Sequence, residues 1–267
     1  MTSNFYLDDT PAEVKNAKGL HLITTSTPNG QKVQIYLEEL KELYGTECAE
    51  NWPNTKTIID ISTNEQKKDW FLKLNPNGRI PVLVDNTKNP PFPVMETSAE
   101  LLHLFKECDK KPAFGFTDDV GRSECLQWLF FWHGSVLILI MPITSSVLTN
   151  CQGQPIQGQL NWFSNNAKED ALALNRFKNE ILRVYGVLEL HLSGKYTGQV
   201  KEYLAGTGSG KYSVADISTW PWLNSWHSNG QITHEDMNQF PHLIQWIERI
   251  RRRPAVQRGI DLKTWTM

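Results

Sequence analysis

The chain has 267 residues, long for one simple domain and of the size expected of two packed ones. Hydrophobic residues make up 40% and charged residues 21%, inside the globular range and enough to fill a core. With 27 Lys+Arg against 29 Asp+Glu the formal net charge is −2, which leaves no basic excess to steer the chain onto nucleic acid or an anionic membrane surface.

Residues 1–18 are polar and aperiodic and are expected to form an extension outside the core. They hold no basic segment followed by an apolar one, so no secretory signal is read there and a cytoplasmic protein is expected. A short apolar run at 20–24 predicts a strand. Val33, Ile35, Leu37, Leu40 and Leu43 then predict a helix over 30–44. A second strand is expected at 55–61 and a short helix at 65–74. The Asn75-Pro76-Asn77-Gly78 turn leads into strands at 80–84 and 93–95, and a helix follows at 97–105. This β-α-β-α-β-β-α order is the thioredoxin-like arrangement, with a mixed four-stranded sheet. Beyond a linker at 108–118, only helices are expected, at 120–140, 167–192, 213–225 and 241–252. The longest apolar run, Val136–Met141, is far shorter than a membrane helix requires.

Cys48, Cys108, Cys125 and Cys151 are scattered, with no CxxC and no Cys/His cluster, so neither a metal centre nor a CxxC redox site is expected. They are expected to be reduced and structural. Cys108 and Cys151 fall near predicted element ends, which makes them the candidates for exposure.

Four local signals stand out. Ser213-Val214-Ala215-Asp216 is a capping box, with Tyr212 and Ile217 as its hydrophobic staple; it is structural. Arg79-Ile80-Pro81 places a proline at a strand start, where a cis bond would turn the N–H and C=O of Ile80 to an extended peptide ligand. An ordinary trans proline is the alternative. Glu96-Thr97-Ser98 opens a helix, where Thr97 can offer its hydroxyl and first-turn N–H groups to a carboxylate, and Glu96 can meet an ammonium. Ser26-Thr27-Pro28-Asn29 opens the first long helix, where the hydroxyls and the Asn29 amide are donors for a thiolate. A plain cap is the alternative for both.

Together, T-P-N-G-Q-K-V-x-I-x-L-E-E-L at 27–40, N-P-N-G-R-I-P at 75–81 and E-T-S at 96–98 resemble the glutathione transferases. The likeness is to the nu class and the related fungal branch that includes a yeast nitrogen regulator. Trp128-Leu129-Phe130-Phe131, Arg183-Val184-Tyr185-Gly186-Val187 and Arg252-Arg253-Pro254-Ala255-Val256 extend the likeness over about residues 19–260. The resemblance implies a thioredoxin-like glutathione-binding domain at 19–107, an all-helical domain at 119–260 and a tail at 261–267. It implies Ile80 and Pro81 on the cysteinyl unit, Glu96 and Thr97 on the γ-glutamyl end, Arg79 on the glycyl carboxylate, Thr27 and Asn29 at the sulfur, and Arg176 at the dimer-facing side. Trp128, Phe131, Trp132 and His133 would line a co-substrate pocket, although Trp128 and Phe131 can equally pack a helix core.

Neither Tyr nor Cys occurs between Leu20 and Gly30, so the nucleophile is expected to be the thiolate of glutathione itself. The resemblance implies a homodimeric glutathione transferase and glutathione-dependent disulfide reductase of the detoxification type, with no metal. The alternative is a non-catalytic regulator that binds a protein partner. The short N-terminal segment lacks the Asn/Gln-rich character expected of a prion-like regulator.

Overall fold

The structure, a computed structural model, describes residues 5–135, 156–168, 170–227 and 230–265. In chain order its elements begin α1 (Ala12–Lys15), β1 (Leu20–Thr24), α2 (Pro28–Tyr44), α3 (Thr46–Asn51) and β2 (Asn54–Ile58). They continue α4 (Asp69–Leu74), β3 (Val82–Asp85), β4 (Phe92–Val94), α5 (Thr97–Cys108) and α6 (Asp119–Ser135). The remainder are α7 (Ile156–Asn166), α8 (Ala171–Leu192), α9 (Val214–Asn224), α10 (His234–Met237), α11 (Pro241–Arg251) and α12 (Pro254–Ile260). Two compact units result: residues 1–113 with 252–267, and residues 114–251.

The first unit is built on a four-stranded sheet in the order β2-β1-β3-β4. β1 runs parallel to β2 and antiparallel to β3, and β3 is antiparallel to β4. This is the mixed sheet of the thioredoxin-like fold. Every residue of β1 is buried, His21 and Thr24 included, as expected of a central strand. The one imidazole there, His21, sits between the hydroxyls of Thr55 at 2.7 Å and Thr57 at 3.0 Å. Val14, Ile23, Ile59, Trp70, Phe71, Leu74, Val82 and Val84 form one buried cluster. Each large side chain there contributes roughly 1.5–3 kcal/mol by leaving water.

Several expectations are corrected in this unit. Residues 5–18, the described part of the segment expected outside the core, join it: Val14 is fully buried in the cluster, and Phe5 and Tyr6 pack against it. A lone valine on one turn of helix carries no periodicity to read. The helix expected at 65–74 is a 3₁₀ turn at 65–67 followed by α4, separated by Lys68 in extended conformation. The expected strand at 55–61 ends at Ile58, because Asp60 caps a 3₁₀ turn through Ser62 N–H at 2.8 Å. Residues 252–267, read with the helical half and a free tail, belong to the first unit. There α12 packs on α2 so closely that a Cβ on Gly259 would stand 2.9 Å from Ile35 Cα. Trp265 is buried too, with Lys56 over its ring at 4.6 Å.

The second unit contains only helices among its named elements. The expected helix at 120–140 is α6; its positions 136–140, and Cys151, lie outside the described residues. The helix expected at 167–192 begins at Ala171, with Asp170 accepting from Ala173 N–H at 2.9 Å, and a separate α7 precedes it. The capping box at α9 is formed. Its Asp216 is fully buried and accepts from Ser213 N–H at 3.0 Å, Leu204 N–H at 3.0 Å and Trp246 Nε1–H at 2.9 Å. Tyr212 and Ile217, the expected staple, are both buried.

Candidate functional site

Strand register determines where the site lies in the first unit. Ile23 of β1 faces Val82 of β3, and Leu83 of β3 faces Val94 of β4. The segment leaving β1 toward α2, the segment entering β3 and the segment leaving β4 toward α5 therefore share one end of the sheet. Those segments carry Thr27 and Asn29, Arg79 with Ile80 and Pro81, and Glu96 with Thr97. Seven of the expected site residues are thus brought together by three local turns and one register.

Each turn has its own physical cause. Thr27 is extended and caps α2, its Oγ1 accepting from Gly30 N–H at 3.1 Å, and Pro28 holds the first helical position. The cap uses only an acceptor lone pair, so the Thr27 hydroxyl proton stays available as a donor. Asn29 follows in the first turn, at the positive end of a 17-residue helix. In the second turn the buried Asn75 side chain accepts from Asn77 N–H at 3.0 Å and donates to Arg79 C=O at 2.8 Å. The Ile80–Pro81 bond is cis. Ile80 turns its side chain toward the core cluster, and its main-chain N–H and C=O have no backbone hydrogen-bond partner among the described residues.

The third turn is strained. Glu96 has φ 70° and ψ 116°, in the region that favours glycine. Such a conformation costs about 1–3 kcal/mol and persists where the surroundings impose it. It sets the Glu96 side chain in solvent and starts α5 with no side-chain cap. The first-turn N–H groups and the Thr97 hydroxyl then form an anion-binding helix start beside an exposed carboxylate.

Sequence reading missed two charged residues beneath this turn. Lys32 is 4% exposed and its Nζ donates to Thr97 Oγ1 at 3.4 Å. Glu100 is 0% exposed, and neither carboxylate oxygen has a hydrogen-bond partner among the described residues. Burial lowers the Lys32 ammonium to about 7, against the pull of Glu100 and Glu96. Burial, then repulsion from Glu96, raises the Glu100 carboxyl well above its ordinary value, with Lys32 opposing. A signal existed: Thr97, Glu100, Leu101, Leu104 and Cys108 lie on one helical stripe, so Glu100 is a charge on a buried face.

The remaining expected site residues lie in the second unit. Arg176 is exposed on α8. On α6, Trp128 stacks on His191 at 4.2 Å and meets Phe131 edge-on at 5.5 Å. Trp132 is only 4% exposed and belongs to the unit's interior, while His133 is half-buried and its ring lies 6.5 Å from that of Phe130. Of the cysteines, Cys48, Cys108 and Cys125 are free and buried, so the expected exposure of Cys108 is corrected: it closes the apolar stripe of α5. Among the described residues no cluster of His, Cys, Asp or Glu could hold a metal, and no helix is long and apolar enough to cross a membrane.

Residues 27–105 match the family model for the glutathione S-transferase N-terminal domain, and residues 158–258 the model for the C-terminal domain. The chain is 32% identical to the disulfide-bond oxidoreductase YghU of Escherichia coli (strain K12), over 90% of this chain and 73% of that protein. A glutathione transferase homolog from Lodderomyces elongisporus, solved with two glutathiones per subunit, is 33% identical with a TM-score of 0.71, covering 92% of this chain and 99% of that one. A glutathione transferase from Pseudomonas putida, solved with one glutathione disulfide per subunit, is 26% identical with a TM-score of 0.73, covering 93% of each chain.

Proposed function

This chain belongs to the glutathione S-transferase family, and from that premise we propose that it binds glutathione and uses the bound thiolate to attack a disulfide or another small electrophile. The observation that carries the reading is the convergence of Thr27 and Asn29, Ile80 and Pro81, and Glu96 and Thr97 at one end of the sheet. Ile80 pairs by backbone with the cysteinyl unit. The start of α5 takes the γ-glutamyl carboxylate and Glu96 its ammonium, and Arg79 meets the glycyl carboxylate. The sulfur then lies at the start of α2, beside Asn29 and Thr27.

In disulfide reduction the thiolate displaces one sulfur of the substrate, giving a mixed disulfide and a substrate thiolate that takes up a proton. A second glutathione thiolate displaces the remaining substrate sulfur, giving glutathione disulfide. The relatives solved with two glutathiones or with glutathione disulfide support a site able to hold both reactant and product. The second unit supplies Trp128 and Phe131 as apolar surface for a co-substrate, with His133 as its candidate polar group, and Arg176 stays the candidate for the dimer-facing side of the glutathione site. A homodimer is expected, with a scattering mass near 61 kDa, twice 30.6 kDa.

Calorimetric titration with glutathione and with glutathione disulfide tests the binding half of this reading. Turnover of bis(hydroxyethyl) disulfide against an activated aryl halide tests the chemical half. Glu96→Ala is expected to weaken glutathione by about 2–3 kcal/mol, since a charged hydrogen bond is left unmade. Failure of the wild-type chain to bind glutathione would overturn the reading. Tight binding with neither turnover would favour a glutathione-binding regulator.

A further inference from the structure

We propose that Lys32 is a positioning residue of the glutathione site, holding the Thr97 hydroxyl so that its one proton points to the γ-glutamyl carboxylate. The inference rests on the glutathione reading above. When Lys32 is protonated its ammonium has three donors and no acceptor, so in the 3.4 Å contact between Lys32 Nζ and Thr97 Oγ1 the hydroxyl oxygen accepts. Thr97 Oγ1 donates to no group among the described residues, so its proton is unspent. It belongs to the first residue of α5, at the helix end that attracts an anion.

The surroundings make this arrangement responsive to charge. Lys32 on α2 and Glu100 on α5 are both out of water, and among the described residues no hydrogen bond steadies an ionised Glu100. Glu96 and Glu100 are the charged groups that act on Lys32. On α12, which also packs against α2, Arg253 is engaged by Glu39, and Arg258 by Glu38 and Glu42. On α3, Glu47 acts on Tyr44. Burial lowers the ammonium to about 7, so a charge added beside it shifts its protonation near neutral pH. An arriving carboxylate favours the protonated lysine, and binding is therefore coupled to proton uptake. Protonated Lys32 in turn strengthens the Thr97 hydroxyl as a donor through the chain of hydrogen bonds.

S-methylglutathione is the probe, because it has the γ-glutamyl head but no ionisable thiol. Its affinity for the wild-type protein, measured by calorimetry, is expected to fall severalfold as pH rises from about 6 to about 8. Lys32→Met is expected to weaken binding about tenfold at the lower pH and to flatten the profile. In a Thr97→Val background, Lys32→Met is expected to have no further effect, because the lysine acts through that hydroxyl. Should Lys32→Met fail to fold, the double variant Lys32→Met/Glu100→Leu removes both buried charges and is held to the same two tests. A wild-type profile flat with pH, or a Lys32→Met effect that persists undiminished with Val at position 97, overturns the proposal while leaving the glutathione reading intact. Absence of binding by the wild-type protein overturns both.

Discussion

Arg253 and Glu39 stand 214 positions apart and meet in a forked ion pair, Nε to Oε1 at 2.6 Å and Nη2 to Oε2 at 2.8 Å. The glutamate is 3% exposed on its side chain, and the pair fastens the returning C-terminal segment onto α2. Removing the arginine leaves a buried carboxylate without its counter-charge. Arg253→Ala is therefore expected to cost about 3 kcal/mol in urea unfolding. Arg258 binds Glu42 and Glu38 on the same helix pair, but it and Glu42 are 47% and 45% exposed, and Glu38 keeps Lys41 as a counter-charge at 2.9 Å. Arg258→Ala is expected to cost under about 1 kcal/mol. Equal costs for the two variants would show that burial does not govern these pairs.

Activation of the sulfur is expected to depend on Asn29. A free thiol of this kind titrates near ~8.5, so only a few per cent is thiolate at neutral pH. The start of α2 supplies about 0.3–1 kcal/mol toward the anion and one hydrogen bond about 1.5–3 kcal/mol. Asn29→Ala is expected to lower turnover about ten- to a hundredfold with little change in glutathione affinity, because the bond strengthens as the thiolate forms. Thiolate absorbance of the bound ligand measures the same effect as a higher thiol pKa. A rise seen in Thr27→Ala and not in Asn29→Ala would transfer the role to the hydroxyl.

No protein cysteine is expected to take part in turnover. Burial pushes the Cys108 thiol up to about 12 and raises those of Cys48 and Cys125 as well. A thiol held protonated and out of solvent is a poor nucleophile. A chain with all four cysteines changed to alanine is expected to keep most of its disulfide reductase activity. Loss of turnover with glutathione binding intact would identify one of them as the working nucleophile.

His21 sets part of the acid stability. Burial lowers its imidazole from 6.5 to about 4, with Glu13 opposing weakly. Between those values the unfolded chain binds the proton and the folded one does not, so stability rises with pH across that window and is lost as pH falls through it. The gap from 6.5 to about 4 corresponds to roughly 3 kcal/mol. Chemical denaturation of His21→Gln at a series of pH values is expected to show a flatter profile below pH 6.5 than the wild type. An unchanged slope would mean that other groups carry the acid sensitivity.

Turns and caps are local events, and they were legible. Thr27-Pro28 capping a helix, the Asn75–Gly78 turn before Pro81, and Glu96-Thr97 opening α5 each need only three or four neighbouring residues. Strand and helix periodicity likewise placed β1, α2, α5 and α9 within a few residues of their ends. The resemblance to a family added roles to those positions, which spacing alone could not assign.

Burial of charge and the closing of long loops were decided only by the tertiary structure. The stripe of α5 marks Glu100 as facing inward, but that Lys32 and Glu100 both lose water is decided when α2 and α5 pack. Val14, Phe5 and Tyr6 are scattered without periodicity in a mostly polar segment, and Gly259 shows its use only where α12 approaches Ile35. The pairing of Ile23 with Val82 and of Leu83 with Val94 brings three distant turns to one end of the sheet. The physical reason is range. Hydrogen bonds within a turn act over a few residues and leave a pattern in the sequence, whereas desolvation depends on every group packed around a side chain, including partners more than 200 positions away.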